Sequence, residues 1–540
     1  MRFDFSALQQ ARARSIAVAL VLMIALITGG WLMQKGARNG ERSPQEGARL
    51  FESVLRHVER DFVDSVATAD LYRKAVDGLL YELGDPYTAF LGPDKIGKLS
   101  ETTTGNYAGL GLQVEIRDNS VVVIAPLPGS PAERAGLMTG DRIVEVQGKS
   151  TQGWTLEDVS KVFRGKTGES VSLKVERPGN LHSMAFDLKR GAIHLSAVRR
   201  ASLLGNRIGY VDLKAFSDST TRELIRAIDS LSRAGMRSLI LDLRSNPGGL
   251  LSQGVEVADL FLDPKQRIVS LRGRMPQSNA DFDDAAPQKW PSLPVVVLVD
   301  GRSASASEIV AGALQDHDRG VVIGRPTYGK GSAQSLYQLG TAGGLKLTTA
   351  RWFTPSGRSI NRWVERDDSE FSDGAGLDDG KQPFKTDAGR TVYGGGGITP
   401  DILAGDTAIA PAIAALQMAL GTHVAAFRDA LTQYALSLKA SGAIKDVGFA
   451  VTAEMREELW KRMLAHGVDM PKGIYDDASA GIDTLLGYEI ARYVFGPEGE
   501  FRRRAARDEP IQHALKLLTG SPTPRDILGR AEAAQKRAEK

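Results

Sequence analysis

VVVLVDGRSASASEIVAGALQDHDRGVVIGRPTYGKGSAQSLYQL, residues 295–339, is the stretch that decides how this chain is to be read. It opens with Val295-Val296-Val297-Leu298-Val299, a continuous apolar run that reads as a strand buried on both faces. Asp300-Gly301-Arg302-Ser303-Ala304 follows as a turn of small residues. A helix then begins near Ser305, with Ile309, Ala313 and Leu314 on its inner face. A hydroxyl at such a strand-to-helix turn is held clear of the backbone. It also lies near the positive end of the helix, where backbone N–H groups can stabilise an oxyanion. Ser303, Ser305 and Ser307 can each equally well cap the helix, so the local pattern leaves three serines open.

Lys330 narrows the choice of chemistry. Gly329 and Gly331 flank it and let the backbone approach closely. If 330–334 is extended, Lys330, Ser332 and Gln334 point to one side. A lysine acts as a base only when neutral. Lowering its pKa from about 10.4 by about three pH units costs on the order of 4 kcal/mol, which desolvation must supply. Gly324 to Lys330 also fits the GxxxxGK of a phosphate-binding loop. However, Gly331 stands where that loop needs Ser or Thr, and a strand pattern follows instead of a helix, so nucleotide binding is not expected.

Working outward, apolar runs at 208–211, 238–243, 295–299 and 321–323 alternate with helical stretches at 220–234 and 305–315. Together they predict an α/β core with a mixed sheet and packed helices over 193–405. Before it, 105–190 reads as short strands and turns. Its order is Gly109-Leu110-Gly111-Leu112-Gln113-Val114, then Ser130-Pro131-Ala132-Glu133-Arg134-Ala135-Gly136-Leu137, then Gly140-Asp141-Arg142-Ile143-Val144-Glu145-Val146. That order resembles a PDZ domain. Residues 45–104 carry helical periodicity after a polar linker at 36–48, and 406–540 form a C-terminal helical extension whose charged tail beyond Pro524 reads as loosely held. The acidic, Gly/Asp-rich stretch 364–390 reads as a solvated insertion without the spacing of a calcium loop.

Residues 1–35 read as a signal-anchor. Arg2, Arg12 and Arg14 precede an uncharged run from Ile16 to Met33, near the lower limit for spanning a bilayer and long for a signal-peptide core, and with no clean A-x-A site after it an uncleaved anchor is preferred to a cleaved signal. The preceding charge favours a cytoplasmic N-terminus, although Lys35, Arg38 and Arg42 follow the run. The expectation is a single-pass protein with the rest of the chain outside the cytoplasmic membrane. The 540 residues contain 68 Lys and Arg against 65 Asp and Glu, a net charge of +3 that gives no global signal for nucleic acid. With no cysteine, thiol chemistry, disulfides and Cys-ligated metals are excluded. The 7 histidines show no metal-ligand spacing, so neither a metal nor any other cofactor is expected. A Ser/His/Asp arrangement through His317 is implausible, because the helix between it and Ser305 keeps them on the order of 15 Å apart.

Seven motifs in order make the chain resemble the C-terminal processing peptidases, or tail-specific proteases. They are DPYTAFLGP at 85–93, the PDZ-like segment, LILDLRSNPGGLL at 239–251, GRSASASEIVAGAL at 301–314, YGKGSAQ at 328–334, TPSGRSI at 354–360 and GGGITPD at 395–401. The resemblance implies Ser305 as nucleophile, Lys330 as its general base and Gln334 as the group that orients the lysine. It implies backbone oxyanion donors at Ala306 and at Gly248 or Gly249, and further important positions at Glu308 and Asp316. It also implies capture of a substrate's C-terminal tail at Leu110, Gly111, Leu112 and Val114, with proteins bearing accessible C-termini as substrates. A homo-oligomer or a regulatory adaptor is a further expected partner. The rival reading is a PDZ-bearing membrane adaptor that binds tails without cutting them.

Overall fold

The computed structural model describes residues 43–117, 119–177, 180, 182–362, 382–405 and 410–538. The apolar run 16–33 and most of the acidic stretch, 363–381, lie outside the described residues. Among the described residues no helix is long and apolar enough to cross a membrane. Two units divide the chain at Phe90 and Leu91. The first holds two helices, Pro44–Asp61 and Thr68–Tyr81. Helix begins inside the stretch expected to be a linker, because Ser43 and Glu46 form a reciprocal capping box around Pro44.

In the second unit, six antiparallel strands form the PDZ-like sheet: Leu112–Arg117, Ser120–Pro126, Arg142–Val146, Ser170–Glu176 and Met184–Lys189 in that order, with the two-residue strand Lys149–Ser150 paired to Arg142–Val146. Ser170–Glu176 alternates strictly between exposed and buried residues, as a strand with one wet face must. Its inward residues Val171, Leu173 and Val175 pack with Leu110, Val123, Ile143, Val159 and Phe163. Leu112–Arg117 is an edge strand, paired only with Ser120–Pro126 among the described strands. The helix Leu156–Phe163, capped by Thr155 and Asp158, lies beside it.

The central sheet runs Val198–Leu204, Ile208–Leu213, Ser238–Asp242, Val295–Val299, Val321–Gly324 and Ile402–Leu403. The first pair is antiparallel and the remainder parallel. On one face, Val211, Leu241, Val297 and Val322 meet the helices Thr220–Arg233, Leu251–Asp259 and Ala306–Asp316. A second sheet, built on Gly344–Phe353, carries Arg267–Gly273 and Ser332–Gln338 on its two sides.

The other face is covered from beyond residue 405. Tyr210, Ile240, Val296, Leu298, Val321 and Ile323 are covered by Ile511, Ala514, Leu517, Leu518, Ile527 and Ala531. The end of the helical extension is therefore the third layer of the α/β core. The charged tail is also no loose end, since Ile527 and Ala531 of the helix Pro524–Ala538 are buried. Between these parts, helices from Pro411 to Ala505 share a separate core around Phe427, Leu459, Tyr475 and Ile482. Arg117, at the end of the PDZ edge strand, donates to Thr432 Oγ1 of this bundle at 3.3 Å, and Thr432 donates to Glu489 at 2.7 Å.

Candidate active site

The three serines separate by environment. Ser303 is fully buried and donates to the Leu243 carbonyl at 2.8 Å. Ser307 is fully buried and donates to the Asn246 carbonyl at 2.9 Å. Ser305 is only partly buried and sits at the N-cap of Ala306–Asp316 with φ +56° and ψ −114°. Such a backbone costs a non-glycine residue about 1–3 kcal/mol and persists only where the surroundings impose it. Here they do. The Ser305 N–H donates to Glu308 Oε2 at 2.7 Å, and its carbonyl accepts from Glu308 and Ile309 at 2.8 and 3.0 Å.

Glu308 ties that turn to the lysine loop. Its carboxylate, with 0% of the residue exposed, accepts from Thr327 Oγ1 at 2.6 Å, Gly329 N at 2.7 Å and Lys330 N at 3.0 Å, besides Ser305 N. Tyr328 N adds a bond to the Ser303 carbonyl at 3.0 Å. From the far side, Trp352 Nε1 donates to the Lys330 carbonyl at 3.0 Å. The peptide groups on both sides of Lys330 are thus fixed, and its side chain is half-buried. The flanking glycines sit tightly: Gly329 has φ +88° and a Cβ there would stand 2.9 Å from Arg362 Cβ, and one at Gly331 would stand 3.0 Å from Asn361. Ser332–Gln338 then runs as a strand, so the phosphate-loop alternative lacks its helix. Gln334 Nε2 donates to Ser332 Oγ at 2.9 Å and to Thr348 Oγ1 at 3.2 Å, which keeps Ser332 and Gln334 on one side as expected.

Burial pushes the Glu308 carboxyl up to about 7, against the four donors that favour its charged form. A carboxyl raised in the folded state contributes stability below its unfolded pKa of about 4.5, and loses that contribution as pH climbs through the folded value. Wild type should therefore lose on the order of 3 kcal/mol between pH 4.5 and pH 7 relative to Glu308→Gln. Chemical denaturation of both proteins across that window checks this; parallel pH dependences would refute it.

Opposite the serine turn, Gly248 packs so closely that a Cβ there would stand 2.8 Å from Ser305 Cβ and 2.9 Å from Ala306 N. A Cβ at Gly249 would be 2.2 Å from the Phe216 carbonyl. The loop therefore accepts no side chain at either place. Of the two glycines expected as alternative oxyanion donors, Gly248 has its N–H on Asn246 Oδ1 at 2.9 Å. Asn246 is fully buried. Its Nδ2 donates to the Leu213 carbonyl at 2.8 Å, and its own carbonyl accepts from Ala304 N at 3.0 Å.

The remaining expected residues lie elsewhere. Asp316 closes the far end of the Ser305 helix, where it accepts from fully buried Arg358 at 2.6 Å. His317 bonds Asp387 at 2.7 Å and the Arg267 carbonyl at 2.6 Å, at the opposite end of the helix from Ser305. Leu110 is fully buried in the PDZ core, so only its backbone can meet a ligand, and Gly111 (φ +74°) makes the turn into the edge strand bearing Leu112 and Val114. No group of metal-ligating side chains occurs among the described residues. The sequence reading undervalued Glu308. The signal was present, because Ser305-Ala306-Ser307-Glu308 is the S-x-x-E of a capping box.

The sequence model of peptidase family S41 matches residues 207–370, and that of the PDZ domain matches residues 122–177. A carboxy-terminal-processing protease of Bartonella bacilliformis is 35% identical over 349 residues, which are 64% of this chain and 77% of that protein. The carboxy-terminal processing protease CtpA of Bacillus subtilis is 32% identical over 64% of this chain and 73% of its own length. Among solved structures, a photosystem II D1 C-terminal processing protease is 32% identical, covers 58% of this chain and 89% of its own, and superposes with a TM-score of 0.34. With its PDZ domain and serine-peptidase core, the chain belongs to the carboxy-terminal processing proteases of peptidase family S41.

Proposed function

We propose that the chain hydrolyses peptide bonds with Ser305 as nucleophile and Lys330 as general base. The observation that carries this reading is the Glu308 bracket, which binds the strained Ser305 turn and the Lys330 loop to one buried carboxylate. Lys330 takes the Ser305 proton as Oγ attacks the scissile carbonyl, then passes it to the leaving amine, and water hydrolyses the acyl-enzyme. Gln334, with its NH2 on two hydroxyls, offers its carbonyl oxygen to the lysine amine. Ala306 N–H and Gly249 N–H are the donors suited to the oxyanion.

A substrate tail would add to the open edge of Leu112–Arg117, with its carboxylate on the amides of the Leu110–Leu112 turn. The parts of the chain are then a signal-anchor over 1–35, a helical segment over 45–104, a PDZ domain over 105–190 and a peptidase core over 193–405 completed by 498–538. Anchoring through 16–33 would direct all of this to extracytoplasmic substrates.

The test uses the whole protein with an unfolded polypeptide ending in apolar residues. Cleavage is expected, with KM raised roughly tenfold when the substrate's terminal carboxylate is amidated. Complete absence of cleavage across many tails, with tail binding retained, would favour the non-cutting adaptor. An unchanged KM for the amide would remove the PDZ role.

A further inference from the structure

The loop that brings Gly248 and Gly249 against Ser305 starts at Arg244, and Arg244 is held from two directions. Its Nε and Nη2 donate to Asp242, with Nη2 to Oδ2 at 2.6 Å. Its Nη1 donates to both carboxylate oxygens of Asp508, each at 2.9 Å. Asp242 is buried at the end of the central strand Ser238–Asp242 and also accepts from Tyr210 Oη at 2.7 Å. Asp508 comes from the far end of the chain, where it caps the helix Glu509–Leu518 by accepting from Ile511 N at 3.0 Å.

From Arg244 the loop is tied at successive residues. Lys214 Nζ donates to the Arg244 carbonyl at 2.6 Å, and Ser245 N donates to Asp300 at 2.8 Å, just before the nucleophile turn. Asn246 then bonds Gly248 as described. A carboxylate on each side fixes both the position and the rotation of the planar guanidinium, which one partner alone leaves free to turn.

We propose that Asp508 is a positioning residue of the peptidase site: its carboxylate, delivered by the C-terminal layer, locks Arg244 and through it the loop that sets Gly248 and Gly249 against Ser305. This rests on the reading of that loop as the oxyanion side of Ser305. The segment beyond the family's shared region thereby becomes part of the catalytic apparatus, and anything that lifts the helix Glu509–Leu518 would loosen the loop.

The test separates the two jobs of Asp508. Asp508→Ser in the full chain keeps a good helix cap and removes the grip on Arg244. Assayed on a peptide ending in apolar residues with a free carboxylate, it should lower kcat roughly 10–100-fold with KM unchanged, since a small misplacement of reacting groups costs that much. In an Arg244→Lys background the same substitution should lower kcat less than about twofold further, because the two act as one unit. Should the serine variant melt early, Asp508→Asn carries the same expectation with a smaller loss. A wild-type kcat in Asp508→Ser, or a loss that multiplies in full onto Arg244→Lys, would overturn the proposal. Ser305→Ala is run in parallel. Activity surviving there would sink the underlying assignment of the nucleophile, whatever Asp508 does.

Discussion

Lys330→Ala should reduce kcat by roughly 10³-fold or more while leaving the fold and the affinity for substrate tails intact. The reason lies in what holds the loop. Lys330 contributes its backbone N–H to Glu308 and its carbonyl to Trp352, so these two ties of the loop persist when the side chain that supplies the base is removed. Lys330→Arg should be equally inactive, because a guanidinium does not give up its proton near neutral pH. Initial-rate kinetics with melting curves check this. A Lys330→Ala protein with more than about a tenth of wild-type kcat would mean that another group takes the serine proton.

The second large effect is on stability. Ending the chain after residue 497 should prevent folding of the peptidase core. The segment lost supplies Ile511, Ala514, Leu517, Leu518, Ile527 and Ala531, each at most 6% exposed, over one whole face of the central sheet. Phe501 goes with it, its ring tilted against that of Tyr210 with centroids 4.7 Å apart. Burying a leucine or isoleucine is worth about 1.5–3 kcal/mol, so the layer contributes on the order of 10 kcal/mol, comparable to the entire net stability of a domain. The single change Leu517→Asp should cost about 3 kcal/mol or more, by placing a charge against Ile240 and its neighbours. Circular dichroism and proteolysis of the shortened chain are the measurements. A soluble, cooperatively melting and active protein ending at 497 would contradict the three-layer description.

How far the sequence is legible follows from the range of each signal. Val295–Val299 and Val321–Gly324 announce themselves because a strand buried on both faces must be apolar throughout. The Ser305 turn and the glycines around Lys330 are equally local. The third layer was missed because Pro524–Ala538 offers the sheet only a few apolar residues, among them Ile527 and Ala531, within a strongly charged helix. Composition there reads as solvated although one narrow face is buried. An amide of Gly248 or Gly249 was expected at the oxyanion, and of the two the Gly248 N–H donates to Asn246, two residues earlier. A glycine pair shows where backbone approaches backbone and says nothing of which way each N–H points. Asp508 meets Arg244 only through tertiary structure, and no spacing in the chain joins them.

Trapping the acyl-enzyme tests the central assignment most directly. A slowly hydrolysed ester, or a serine-directed fluorophosphonate that phosphonylates the same hydroxyl with loss of fluoride, followed by mass mapping of the peptide 303–319, reads out which hydroxyl is modified. The expected result is an adduct on Ser305, absent in Ser305→Ala and formed far more slowly in Lys330→Ala. An adduct on Ser303, Ser307 or a residue outside this peptide, or labelling of Lys330→Ala at the wild-type rate, would contradict the Ser305 and Lys330 assignment.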